Sequence, residues 1–145
     1  MQQCCNGRSS SPGAKHVNVK GFNHYNLRAP RELMDTLRTF YCEVAGLTEG
    51  PRPALGSFGY WLYADGQCVL HLSEARPGET RQTHVTTTFD HVAFTCTGLQ
   101  ETEQRLKQGN IEFRKGEVPS LGITQLFVQD PAGNGIELSF AEEDA

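Results

Sequence analysis

Apolar positions along this chain fall into two rhythms, steps of two and steps of three and four, and the order of the rhythms occurs twice. Residues 22–28 (FNHYNLR) mix aromatic and polar positions as a strand does. Pro30 stands where a first helical turn tolerates proline. Leu33, Leu37, Phe40, Tyr41 and Val44 then recur at helical spacing, with Gly46 placed to stop the helix. Short strands are predicted around residues 47–49, over 58–64 and over 67–73, the last two joined by Asp65-Gly66, a hairpin signal. Residues 74–87 are polar, contain Pro77 and Gly78, and read as a linker. The order then returns. A strand is predicted over 89–96, a helix over 99–108 closed by Gly109, and strands over 111–114, 123–129 and 135–140, the last pair across the turn-rich 130–134.

The two halves share more than rhythm. FNHYNL at 22–27 aligns with FDHVAF at 89–94, which places His24 on His91, 67 positions apart. LHLS at 70–73 aligns with IELS at 136–139, which places His71 on Glu137, 66 positions apart; Gly66 and Gly133 are also 67 apart. Strand side chains alternate faces, so Leu70 and Leu72 point away from His71, and Ile136 and Leu138 away from Glu137. One face of these strands packs on helices while the other presents an isolated ionisable group. A carboxylate isolated on a sheet face is costly to desolvate unless something compensates it. A divalent cation does so, and imidazoles with a carboxylate suit Zn, Ni, Fe, Mn or Co. Four such positions related by an internal repeat converge if the halves pack about a pseudo-twofold axis, so His24, His71, His91 and Glu137 are the candidate metal ligands. Phe22, Asn26, Phe89, Ala93 and Ser139 share their strand parity and are expected to wall a substrate pocket. Of Tyr60 and Trp61, only one can face that pocket, and Arg28 is the one basic residue with the parity of His24 on its strand. His16 and His84 have no comparable context and read as solvated.

Composition narrows the setting. A chain of 145 residues with 37% apolar and 21% charged positions is an ordinary globular protein, and a net charge of −4 offers no reason to expect nucleic acid or an anionic membrane as partner. No apolar run approaches the roughly 18 residues that span a bilayer. Residues 1–20 have no apolar core of a secretion signal and read as a flexible tail. Five cysteines, Cys4, Cys5, Cys42, Cys68 and Cys96, form no CxxC pair, which argues for reduced thiols and a cytoplasmic setting.

With FNHYNLRAP leading into a helix with FYCEVAGL, the repeated FDHVAF, and QLFVQDPAGNGIELSF, the sequence resembles the vicinal oxygen chelate superfamily of glyoxalases, bleomycin resistance proteins and dioxygenases. The resemblance covers roughly residues 20–141. It implies an α+β fold of two tandem βαβββ modules, about 21–75 and 88–141, forming a cupped mixed sheet with flanking helices. These would make one domain over 21–141, followed by an acidic tail at 142–145. It also implies one divalent metal ion, a small-molecule substrate and a homodimer. By position, the ligands implied are His24, His71, His91 and Glu137, with Glu137 and His71 as the catalytic groups. The fourth-strand position departs from glyoxalase I, where a carboxylate is usual. Four ligands would leave two positions for a bidentate enediolate, as in a glyoxalase- or epimerase-like isomerase or lyase. Three ligands, His24, His91 and Glu137, would suit an Fe(II) extradiol dioxygenase with His71 as nearby acid or base. The same three would suit a fosfomycin-type transferase. A drug-binding protein without catalysis would generally lack the metal residues altogether.

Overall fold

Each half of the chain delivers a strand, a helix and three further strands in the computed structural model, which describes residues 17–144. The first half gives β1 (Tyr25–Ala29), α1 (Met34–Glu43), β2 (Thr48–Gly50), β3 (Gly59–Ala64) and β4 (Gln67–Glu74). The second gives β5 (His91–Cys96), α2 (Leu99–Gln108), β6 (Arg114–Val118), β7 (Ile123–Gln129) and β8 (Gly135–Ala141). The strand orders are β1-β4-β3-β2 and β5-β8-β7-β6, with β1 parallel to β4, β5 parallel to β8, and the remaining pairs antiparallel. The expected α+β architecture of two tandem βαβββ modules is therefore what the chain forms. Its consequence for chemistry is positional: the candidate ligands lie on, or just before, β1 and β4 in the first sheet and β5 and β8 in the second.

Three boundaries differ from the sequence expectation. β1 and β5 begin at Tyr25 and His91, so Phe22, His24 and Phe89 lie in the segments entering these strands. β6 runs over Arg114–Val118, later than predicted, because pairing with β7 and not apolar content sets its register: Arg114 opposes Phe127 and Val118 opposes Ile123. Ile111 and Phe113, which suggested an earlier strand, pack instead against the core. Glu142–Asp144 closes as a single 3-10 turn where an acidic tail was expected. Cys4, Cys5 and His16, and most of the expected flexible tail, lie outside the described residues. Cys42, Cys68 and Cys96 are half-buried free thiols.

The helical period places Met34, Leu37 and Tyr41 on one face of α1, all fully buried. They join Leu62, Leu70 and Leu72 of the first sheet, and Leu126, Ile136, Leu138 and Phe140 of the second, in one apolar cluster that spans both modules. A polar contact crosses the same seam. The Tyr41 hydroxyl donates to Asp130 Oδ2 at 2.7 Å. Asp130 also accepts from the backbone N–H groups of Ala132 and Asn134 and from the Asn134 side-chain amide, each at 2.9 Å. The aspartate of the Asp130-Pro131 motif thus fastens the β7–β8 turn to α1. Gly133, at φ +88° in that turn, has no room for a side chain, since a Cβ would press on the His84 backbone. Tyr41→Phe leaves the buried Asp130 carboxylate short of a donor, and is expected to lower stability by about 1–3 kcal/mol. Urea unfolding should show the midpoint falling with an unchanged m-value.

Candidate metal centre

Strand register brings the predicted polar residues together two by two. In the second sheet Ala93 lies opposite Glu137 in the parallel β5–β8 ladder, and His91, two residues earlier, shares that face. His91 Nε2 lies 3.0 Å from Glu137 Oε2. Gly135 makes the approach possible, because a side chain there would collide with the Asp90 carbonyl at the entry to β5. Glu137 Oε1 accepts from the Gln125 side-chain amide of β7 at 2.7 Å, and His91 Nδ1 lies 2.6 Å from Asp90 Oδ2. Asp90 is positioned to hold the proton on Nδ1, which turns the Nε2 lone pair toward a carboxylate oxygen. Two lone pairs face each other in that geometry, and a proton or a cation between them satisfies both.

A metal ion suits the spacing. Donor atoms each at about 2.1 Å from an ion, along perpendicular bonds, lie about 3.0 Å apart. The other oxygen of Glu137 is already occupied by Gln125, so the carboxylate offers one atom in a fixed direction. Glu137 is only 8% exposed, and no arginine or lysine neutralises it among the described residues. The burial expected of an uncompensated sheet carboxylate is therefore present, and the donor set fits a divalent cation.

The first sheet builds a different arrangement. His24, exposed and just before β1, places Nδ1 2.6 Å from Asn23 Oδ1, which parallels the His91–Asp90 contact. Its ring stacks on His71, centroids 3.8 Å apart and planes 21° apart. His71 in turn stacks on Trp61 at 4.2 Å and 3°. Trp61 opposes His71 in the β3–β4 ladder, so it is Trp61 and not Tyr60 that shares the face of His71. The lone pairs of stacked imidazoles lie in nearly parallel planes and run side by side instead of converging. His24 and His71 in this stack are therefore not suited to chelate one ion together. Burial, then the His24 ring and the Arg52 guanidinium, hold the His71 imidazole below the ordinary histidine range.

The two pairs do not come together within one chain. Among the described residues, no three His, Cys, Asp or Glu side chains form a group able to hold a metal ion. The residues expected as a quartet meet as a pair in each sheet, His24 with His71 and His91 with Glu137. Asn26 and Ser139 do line the expected faces: the Asn26 amide donates to Ser73 Oγ at 2.8 Å, and Ser139 lies opposite Thr95. Ala93 is exposed beside Glu137. Phe22 and Phe89 are 66% and 50% exposed at the strand entrances, and Phe89 lines a cavity of about 320 Å3 with His84, Asp90 and Asn134. Arg28 donates from its guanidinium to the Glu74 carbonyl. His84 is exposed, as read from the sequence.

Sequence reasoning missed the supports. Asn23 and Asp90 had a signal, since each immediately precedes its histidine at the same offset in the repeat. Gln125 had none, because its reach to Glu137 depends on the β7–β8 register.

Comparison with known proteins agrees with this architecture. The family model described as Glyoxalase/Bleomycin resistance protein/Dioxygenase superfamily matches residues 21–138. A curated protein of Arabidopsis thaliana, Glyoxylase I 4, is 29% identical over 126 residues, which cover 84% of this chain and 71% of that protein. The crystal structure of a glyoxalase family protein from Bacillus anthracis superposes with a TM-score of 0.68 at 25% identity, covering 88% of this chain and 99% of that one. Lactoylglutathione lyase from Agrobacterium tumefaciens superposes at 0.60 with 20% identity, over 88% and 98% of the two chains.

Proposed function

The chain belongs to the Glyoxalase/Bleomycin resistance protein/Dioxygenase superfamily, and we propose that it is a metal-dependent isomerase or lyase acting on a small substrate. In this reading His91 and Glu137 of one copy and His24 of a second copy hold one divalent ion. The observation that carries it is the 3.0 Å approach of His91 Nε2 to Glu137 Oε2, braced by Asp90 and Gln125.

The topology supports a second copy. β1 and β5 are both edge strands, and each has a candidate histidine at its beginning. Setting β1 of one copy beside β5 of another would bring His24 toward the His91–Glu137 pair, and a twofold arrangement would make two such sites. Phe22 and Phe89, each two residues before a histidine and each exposed, supply apolar surface for that contact.

When bound, the ion supplies Lewis-acid stabilisation of charge developing on two neighbouring substrate oxygens. The chain supplies the rest. Asp90 and Asn23 orient His91 and His24, and Gln125 fixes the Glu137 carboxylate. His71, left off the ion by its stacking, is a neutral imidazole on the pocket face of its sheet. It takes a proton from substrate carbon on a ring nitrogen and returns it to the neighbouring position. The stack between His24 and Trp61 keeps the ring in place during both transfers.

A second reading draws on the same count of three donors. Two histidines and a carboxylate also suit an Fe(II) ring-cleavage dioxygenase. The test begins with metal analysis of the purified chain before and after chelation, where about one ion per chain is expected. Hemithioacetal isomerisation with Ni or Zn is then compared with oxygen uptake on catechols after anaerobic Fe(II) loading. Isomerisation without oxygen uptake is the expected result. Oxygen uptake would replace the proton-transfer reading with the dioxygenase, and failure to retain any divalent metal would remove both.

A further inference from the structure

The face that carries His91 and Glu137 also carries an arginine for which the metal site has no use. Register sets Ala93, Glu137, Phe127 and Arg114 in one row across the four strands of the second sheet. The Arg114 guanidinium lies over the Phe127 ring, 4.1 Å from its centroid. The His91 ring meets the same phenylalanine edge-on, with centroids 5.8 Å apart. Arg114, Phe127, His91 and Asp90 line one open cavity of about 630 Å3.

Arg114 is exposed and, among the described residues, has no carboxylate within 4.0 Å. Glu112 lines the same cavity without reaching it. The neighbouring Lys115 points to the other side of the strand and pairs with Glu103 at 2.8 Å. Stacking occupies one face of the guanidinium and leaves its edge of N–H donors free. That edge is a planar fork whose geometry matches a carboxylate bidentately. Phe127 also acts as a spacer: without it, the long arginine side chain could fold onto Glu137 and neutralise the ligand. The arrangement keeps a cation near the ligand pair but off it.

We propose that Arg114 binds a carboxylate of the substrate, which is therefore a small organic acid whose apolar part lies along Phe127. The acid end sits on the guanidinium, and the end with two neighbouring oxygens reaches the His91–Glu137 pair. Only this second contact rests on the function proposed above; the carboxylate contact stands on Arg114 and Phe127 alone.

The test is a backbone-amide NMR titration of the full chain, stripped of metal by chelation, with benzoate and with neutral benzamide. Benzoate is expected to shift resonances of β6, β7 and His91 and to bind Arg114→Gln at least tenfold more weakly. Benzamide should bind both proteins alike. Arg114→Lys, which keeps the charge but loses the fork, should recover less than half of the loss on a logarithmic scale. Equal benzoate affinity in wild type and Arg114→Gln, or shifts confined to another face, would overturn the proposal. Full recovery by lysine would overturn the fork assignment. Zinc binding by Arg114→Gln is expected to equal that of wild type. If wild type binds no zinc, the metal reading fails while the benzoate titration still decides the role of Arg114.

Discussion

Glu137→Gln should abolish metal retention while leaving the protein as stable as wild type, or slightly more so. The two effects have separate origins. Glu137 is 8% exposed and has hydrogen-bond partners but, among the described residues, no permanent cation beside it. In the metal-free chain its burial is a cost, which an amide of the same shape avoids. Gln125 can rotate its amide to face either end of the new glutamine, and His91 can exchange tautomers to do the same, so neither contact need be lost. The change in metal-free stability is expected to stay within about 1 kcal/mol. Metal binding has no such compensation, because an amide lacks the charge that holds the ion against water. Loss of an outer partner costs about 10- to 100-fold in affinity, so loss of the anionic ligand should exceed about 100-fold. Competitive titration against a chromophoric chelator reads the affinity, and urea unfolding under chelation reads the stability. Destabilisation of several kcal/mol with metal affinity unchanged would make Glu137 a structural residue and end the metal-site reading. Gln125→Ala tests the same logic more weakly: it removes the brace and should cost about 10-fold in affinity.

How much of this was legible in the sequence depends on the range of the interaction involved. The repeat of FNH and FDH, and of LHLS and IELS, exposed both candidate pairs because each rests on strand alternation, a purely local geometry. The helices were legible for the same reason, since Leu37 and Tyr41 recur at a period that needs no partner to define it. What depended on pairing was less accessible. Ile111 and Phe113 look like strand residues, yet β6 starts after them because β7 dictates where the ladder begins. Trp61 could not be separated from Tyr60 until its pairing with His71 was known. The stack of Trp61, His71 and His24 had no sequence signature, and it favours His71 as the acid or base over His71 as a ligand. The Asp130-Pro131 motif was visible as a family signature, but its work is mechanical: the aspartate binds the turn and Tyr41 across the module seam. The least legible feature was which halves meet. Local patterns predicted a quartet, and the fold yields two pairs at two separate sheet edges.

Mixing two inactive variants should therefore restore activity. Consider His24→Ala and Glu137→Ala, each of which removes one ligand. If every site takes His24 from one copy and His91 with Glu137 from the other, a heterodimer contains one doubly damaged site and one intact site. Random exchange makes half of the dimers mixed, so the mixture should recover about one quarter of wild-type activity and of metal-binding sites. The exchange must be forced, by co-expression with two affinity tags or by joint refolding, because a dimer can exchange more slowly than the assay. A site built within one chain predicts no recovery at any ratio. The control pair is His91→Ala with Glu137→Ala, whose residues lie in one sheet 3.0 Å apart at their donor atoms. Both belong to the same half-site, so no combination of these two chains contains an intact His91–Glu137 pair, and recovery must be absent. Recovery in both mixtures would point to reversion or carry-over of wild type. Recovery in the first alone assigns His24 to a different copy from Glu137.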